Sequence, residues 1–457
     1  MIADILSNGL VNVYAPGVAE TLTVLMCVSV LTGIFLGFPI AFTLMGIAFI
    51  YGFIGVGNTV VILMGYQIGQ INSDVAFITV PLFVFMGCML ERAGIADGAL
   101  GALSQWLRKV RGGFGIAIVI ICLLFAGCIG IVGASVAALG TLALAPMIKN
   151  GYSKSLSTGL LAAGGTLGIL LPPNVALIIY SPIIMVSMAK LFMGAVFPGL
   201  LLGFLYALYV GVIGYFKKGE VPEVVKDEEY PIKYTLGQGL IAFVPFVFLI
   251  FIVLGAIFFG IVPPGDAAAI GALGSIIVAI ANRKCNKETI MGAALNTLRI
   301  TTMVIFVALG AHMFSSVFFI LGCTRVINRT LSDLGLGAVG SLALFLIVVF
   351  VAGIFIDWLG VILIFTPIFI PLLTGLGWDP LHIGIVVMVM LQTSFLTPPF
   401  AYSIFYVLGI APPGVTIGDI YRGVIPFICI QIVVVMICLF FPPIITYLPN
   451  LMFTGFN

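Results

Sequence analysis

GGTLGILLPPN, residues 164–174, lies inside an apolar run that extends from about 155 to 189. Gly164, Gly165 and Gly168 each weaken a helix. Pro172-Pro173 removes two N–H donors and crowds the preceding turn. A helix entering this stretch must break, which frees carbonyls beside Thr166 and Asn174. LQTSFLTPPFAYS, residues 391–403, makes the same case: Gln392, Thr393, Ser394 and Thr397 lead into Pro398-Pro399. The two Pro-Pro pairs stand 226 residues apart (398 − 172), close to half of the 457-residue chain.

The surroundings of these breaks set the solvent. The chain is 62% hydrophobic and only 7% charged. A soluble core of this length could not cover that much apolar surface, whereas lipid removes the problem. The apolar runs are continuous rather than alternating, which argues against a strand barrel. Backbone groups in lipid must be satisfied internally, so the runs are expected to be helices. A net charge of +2 gives no footprint for nucleic acid. The eight cysteines include no CxxC pair and read as small core residues. The N-terminus lacks a positive n-region, so no cleavable signal peptide is expected.

Four apolar segments are short and come in pairs, 114–129 with 133–148 and 338–352 with 360–374, meeting at Gly-containing turns. They read as re-entrant hairpins over about 114–148 and 338–374. Arg108, Lys109 and Arg111 precede the first pair, and Lys149 and Lys154 follow it. Both flanks are basic, so both lie in the cytoplasm by the positive-inside rule. Counting spans from Lys217, Lys218, Arg283, Lys284 and Lys287 brings the second hairpin in from outside; Arg325 and Arg329 run against the rule there. The chain is therefore expected to be an all-α polytopic membrane protein of two inverted repeats, each with a re-entrant hairpin and a broken helix. Residues 1–216 form the first repeat, with its broken helix at 155–189. Residues 217–237 (KKGEVPEVVKDEEYPIKYTLG) are a cytoplasmic linker. Residues 238–457 form the second repeat, broken at 381–408. Secondary transporters of this plan bind near the midplane, at broken helices.

Each hairpin tip offers opposite backbone ends: carbonyls from the incoming helix and N–H groups from the outgoing one. The former suit a cation, the latter an anion. The first tip, GIVGAS (130–135), carries Gly130, Gly133 and Ser135; the second, GIFIDWLG (353–360), carries Gly353, Asp357 and Gly360. Asp357 is the one acidic residue expected near mid-membrane, where a carboxylate is a functional candidate by default. It could equally cap the outgoing helix, and each Pro-Pro break could be an ordinary packed kink. His312 could bond across helices or shuttle protons. Trp106 and Trp378 read as interface anchors. Segment 94–111 reads as a helix along the cytoplasmic surface, with 322–336 as its outer counterpart.

At these motifs the chain resembles the large membrane subunit of tripartite ATP-independent periplasmic (TRAP) transporters. The most specific stretches are PLFVFMGCMLERAGI (81–95), GYSKSLSTGLLAAGGTLGILLPPN (151–174) and LQTSFLTPPFAYSIFYVLGIAPPGV (391–415), within a likeness running from 33 to 427. The resemblance implies a multi-pass protein of the bacterial inner membrane, of the ion-transporter-superfamily elevator type. Both hairpins would ride on one transport domain. It implies a small membrane subunit (Q), a periplasmic substrate-binding protein (P), and sodium as coupling ion with no cofactor. The family's first sodium site maps to Gly130, Gly133, Ser135, Gly165, Thr166, Gly168 and Pro172. The second maps to Gly353, Asp357, Gly360, Thr393, Ser394 and Thr397. Ser135, Asn174, Asp357 and Thr397 are expected to face a small organic anion: a carboxylate, keto acid or sulfonate. Many members have a serine-rich first tip; here only Ser135 remains, so backbone carbonyls must contribute more. The alternative is a stand-alone proton- or sodium-coupled anion transporter or exchanger of similar fold. No HExxH and no GxxxxGK[ST] motif is present, so neither an enzyme nor direct ATP drive is expected.

Overall fold

The computed structural model describes residues 15, 17–129, 132–217, 219–222, 236–398 and 401–454. Most of the expected 217–237 linker lies outside the described residues. Among the described residues the regular elements are helices. In chain order they are α1 (Val18–Phe35), α2 (Ile40–Val56), α3 (Thr59–Ser73), α4 (Val75–Arg92), α5 (Ile95–Trp106), α6 (Gly113–Ile129) and α7 (Val132–Lys149). Then come α8 (Lys154–Thr166), a 3-10 turn (Leu167–Ile169), α9 (Val175–Ile184), α10 (Met188–Phe216), α11 (Leu236–Phe258), α12 (Pro264–Ala281) and α13 (Lys287–Ile320). The last are α14 (Cys323–Asp333), α15 (Gly337–Phe355), α16 (Trp358–Gly375), α17 (Pro380–Leu396), α18 (Tyr402–Ile410), α19 (Ile417–Phe440) and α20 (Pro443–Thr454).

Eight of these are long and apolar enough to cross a membrane: α1, α4, α10, α12, α13, α15, α16 and α19. Large apolar side chains such as Phe204, Phe251, Leu273 and Ile277 point outward. That is tolerable only where the outside is lipid.

Local chemistry sets the helix starts. Ser153 caps α8 by accepting from the Leu156 N–H at 3.1 Å. Asn174 caps α9 through the Leu177 N–H at 2.8 Å. Thr416 and Asp419 form a capping box at α19. Three segments differ from the reading of hydropathy alone. The stretch between 57 and 75 showed no apolar run, yet it holds α3. Gln67, Gln70 and Asn72 dilute its hydropathy without breaking it, and most of its length is exposed. The apolar stretch 301–320 is only the end of α13, which begins at the polar Lys287 behind an Asn286 cap that accepts from the Thr289 N–H at 2.7 Å. The continuous apolar stretch after Arg422 divides into two helices, because Pro442-Pro443 ends α19 and starts α20.

The chain divides into two compact units. One comprises residues 1–78 and 300–380. Within it α1 packs on α2, joined by a hydrogen bond between the Ser29 and Tyr51 hydroxyls at 2.8 Å. Helices α15 and α16 fold back as a hairpin, with Phe345 stacked on Phe369 at 4.8 Å. The Trp378 indole N–H closes the hairpin's base by donating to the Ala338 carbonyl at 2.9 Å. His312 meets the edge of Phe77, with ring centres 6.2 Å apart.

The other unit comprises residues 79–299 and 381–457. Its centre is α8, which packs on α6, α7, α18 and α19. The crossing of α8 with α19 is backbone against backbone: Gly159 faces the Gly423 carbonyl, and Gly423 faces the Ser155 carbonyl. Helix α18 lies along α7, with Ile410 filling the notch at Gly140.

Candidate functional site

The expected break at 164–174 is a real interruption. Helix α8 ends at Thr166, tightens into the 3-10 turn that holds Gly168, and passes Pro172 before α9 starts at Val175. Residues 156–184 are almost entirely buried, so the freed backbone groups do not face bulk solvent. Asn174 serves the break itself. Its side-chain N–H donates to the Leu171 carbonyl at 2.9 Å while its oxygen caps α9. Asn174→Ala should therefore cost about 1 kcal/mol, the usual value of an N-cap. Asn174→Ser should recover most of it, read as the melting temperature of the purified protein.

The outgoing arm of the first hairpin meets this break. A Cβ at Gly165 would strike the Val136 side chain on α7, so the two helices approach as closely as backbones allow. Ser135, the neighbour of Val136, sits in the first turn of α7. It is 1% exposed, and its hydroxyl has no hydrogen-bond partner. A Cβ at Gly133 would lie 2.5 Å from Tyr406 of α18, so glycine there lets α18 close over the hairpin. One turn before Tyr406, Ser403 is also fully buried with an unpartnered hydroxyl. Gly133, Ser135, Gly165 and Thr166 are thus brought to one region, where α8 ends and α7 and α18 begin. Gly130 lies outside the described residues.

The chemistry of this region is mixed by construction. The end of α8 presents carbonyls; the starts of α7 and α18 present N–H groups and positive dipole ends. Leaving a buried hydroxyl unpaired costs roughly 1–3 kcal/mol. Two of them at helix starts suit a ligand that accepts hydrogen bonds.

The polar residues before the second break have a common geometry. The Thr393, Ser394 and Thr397 hydroxyls donate to the carbonyls of Val389, Met390 and Thr393, at 3.5, 3.2 and 2.7 Å. Each proton is directed back along α17, which leaves the oxygen lone pairs as the groups a cation could use. Gly353, Asp357 and Gly360 belong to the other unit. Gly353 is buried at the end of α15 and Gly360 in the first turn of α16. Asp357 is half-buried at the N-cap position of α16. Its carboxylate faces the Trp358 and Leu359 N–H groups without closing a cap hydrogen bond of ordinary geometry.

Residues not selected from the sequence complete the buried polar set. The Gln431 side chain donates to Tyr206 at 2.9 Å and to Thr166 at 3.3 Å. Thr166 also lies 2.7 Å from the Ala163 carbonyl and 3.3 Å from the Gln392 side chain. A hydroxyl has one proton, which Thr166 shares between these two acceptors, the shorter contact to Ala163 being the stronger. Whichever way the Gln392 amide faces, one of its polar atoms stays unpartnered, as does the Gln431 carbonyl oxygen. Gln431 was detectable in principle: it is a lone amide in FICIQIVVVMICLFF (427–441).

Comparison with known proteins bears on what such an arrangement serves. Residues 24–444 match the family described as Tripartite ATP-independent periplasmic transporter, DctM component. The C4-dicarboxylate TRAP transporter large permease protein DctM of Pseudomonas aeruginosa is 30% identical over 389 residues, 85% of this chain and 89% of that protein. The isethionate TRAP transporter permease protein DctMQ of Oleidesulfovibrio alaskensis is 29% identical over 367 residues, 80% of this chain and 56% of that longer protein. Among solved structures, the Alcanivorax borkumensis YdaH transporter aligns with a TM-score of 0.64 at 14% identity. That alignment covers 93% of this chain and 99% of that one, a likeness of fold alone.

Proposed function

Because the chain belongs to the DctM family, as a large permease subunit of TRAP transporters and a multi-pass inner-membrane protein, we propose that it imports a small organic anion driven by sodium. A periplasmic binding protein delivers the anion and a small membrane subunit completes the complex. The observation that carries this reading is the junction of α8 with α7. There a dehydrated end of broken helix, Gly165–Thr166, packs beside an unpartnered buried hydroxyl, Ser135, at the start of a hairpin arm.

The roles divide by polarity. Sodium takes carbonyls at the end of α8 and around Gly168 and Pro172, with the Thr166 oxygen available beside them. A hard cation held by backbone oxygens fits a tip with one serine. The substrate's carboxylate or sulfonate takes the donors: the Ser135 and Ser403 hydroxyls and the N–H ends of α7 and α18. A second sodium takes the lone pairs that Thr393, Ser394 and Thr397 turn outward along α17. Substrates named for relatives, a C4-dicarboxylate and isethionate, share an oxyanion that this donor set would hold. The inverted repeats and the elevator motion belong to the same proposal: a cation that orders the break before the anion arrives would make only the loaded protein competent to move.

The test is uptake into proteoliposomes holding both membrane subunits. A sodium gradient and added binding protein are each supplied or withheld, and the probes are a C4-dicarboxylate and a sulfonate. Uptake requiring both supports the reading. Uptake that persists without the binding protein, or follows a proton gradient alone, would replace it with a stand-alone transporter. Within that assay, Ser135→Ala should raise the KM for loaded binding protein about tenfold, as expected when about 1.4 kcal/mol of binding is lost. The half-saturating sodium concentration should change far less.

A further inference from the structure

We propose that Thr166, Gln392, Gln431 and Tyr206 form a polar latch on the internal two-fold axis of the protein, which couples the two helix breaks. Its members come from four helices of one unit: α8, α17, α19 and α10. All four side chains are fully buried. Thr166 and Gln392 are hydrogen-bonded across a separation of 226 residues, the same interval that separates the two Pro-Pro pairs. Each stands six residues before its own Pro-Pro pair. They are therefore the same position in two copies of one unit. A residue touches its own equivalent only where the symmetry axis passes between them. Gln431 and Tyr206 are hydrogen-bonded across 225 residues, within one residue of the same interval. Two independent hydrogen bonds thus pair near-equivalent positions at one place.

The latch is poorly suited to a purely stabilising role. An apolar quartet would fill the same space without leaving one amide atom of each glutamine unpaired. Its position offers another role. Thr166 ends α8 at the first break, and Gln392 precedes Thr393 and Ser394 on α17, which lead to the second. Ordering Thr166 orders Gln392, and Gln431 holds Thr166 from the side. Gln431 is a positioning residue: it acts through Thr166 and is not itself a ligand of either ion. This inference rests on the sodium-coupled reading above.

Two measurements separate its failure from the failure of that reading. The first needs no sodium. Gln392→Met and Gln431→Met are made singly and together, and melting of the purified complex is followed. Both act through Thr166, so their effects should be non-additive; strict additivity overturns the latch. The second is a sodium titration of uptake at saturating binding protein. Gln431→Met should raise half-saturating sodium about fivefold, the low end of ordinary site–site coupling, with the Hill coefficient falling toward one and maximal uptake retained. A wild-type titration curve for Gln431→Met overturns the coupling role even if the melting data are non-additive. Wild-type uptake indifferent to sodium overturns the sodium reading and the coupling together, while the melting cycle still decides the latch. Should a glutamine variant fail to reach the membrane, Tyr206→Phe removes one oxygen from the cluster and enters the same titration. A smaller shift in the same direction is expected, and no shift counts against the latch.

Discussion

Gly159→Leu is expected to separate α8 from α19 and to abolish uptake. A Cβ at Gly159 would overlap the carbonyl of Gly423, and one at Gly423 would overlap the carbonyl of Ser155. Backbone cannot swing aside as the tip of a long side chain can, so the helices must part. Overpacking a core usually costs about 1–3 kcal/mol, and a clash with backbone belongs at or above the top of that range. The functional loss should be larger than the loss of stability, because α8 carries Thr166 and the break while α19 carries Gln431. An outward shift of α8 by the width of a methyl group would stretch both 3.3 Å hydrogen bonds at Thr166 past any useful length. The check is the melting temperature and sodium-driven uptake of Gly159→Leu beside Gly46→Ala. Gly46 is an exposed helical glycine with open space around it, where alanine should be neutral or mildly stabilising. A Gly159→Leu protein that melts and transports like the wild type would mean that the close crossing is not required.

Gly159 also marks the boundary of what the sequence discloses. GYSKSLSTGLLAAGG (151–165) is visibly a helix with too many small residues, and DIYRGVIPF (419–427) contains a solitary glycine. Nothing in either stretch says that the two glycines meet, because that contact is set by tertiary packing across 264 residues. The breaks themselves were legible, since proline and glycine act locally: α8 ends at Thr166 and α17 at Leu396, each a few residues before its Pro-Pro pair. The paired arms were legible as apolar runs but not in length: α15 and α16 have 19 and 18 residues, enough to cross a membrane, where the runs at 338–352 and 360–374 read as short. The exposed α3 and the polar start of α13 were not, because hydropathy reports contact with lipid rather than helicity. For the site, residue types were legible and their hydrogen-bond commitments were not. Asn174 reads as a polar side chain free to meet a substrate, yet both ends of its amide bond the surrounding backbone. Ser135 reads as a weak remnant of a serine-rich tip, yet it is the buried hydroxyl left without a partner. Gln431 stands far in sequence from the two Pro-Pro breaks, although an amide inside a lipid-grade helix is itself a signal.

Asp357→Asn should lower uptake at moderate sodium as far as Asp357→Ala does, and the pair of variants decides what this carboxylate is for. At the start of α16, asparagine caps a helix about as well as aspartate. If capping were the whole role, Asn would transport like the wild type and only Ala would be impaired. The geometry favours the charge. No cap hydrogen bond of ordinary geometry forms between Asp357 and the N–H groups that face it. Among the described residues no basic side chain forms an ion pair with it. An ionised carboxylate held in a low-dielectric setting without a counter-charge is costly, and Asn or Ser would supply a cap without that cost. On the sodium-coupled reading proposed above, the charge would be offset by a coupling ion, and the two variants test this. Removing one full charge from its surroundings should lower uptake at moderate sodium by tenfold or more, since each 1.4 kcal/mol of lost binding is about a factor of ten. Very high sodium should partly rescue Asp357→Asn, which a folding defect would not allow. Melting temperatures within a few degrees of wild type for both variants would confirm that charge, rather than structure, has been removed. Wild-type sodium dependence in Asp357→Asn would return the residue to a plain capping role, and the ion would then have to be held without a formal negative charge.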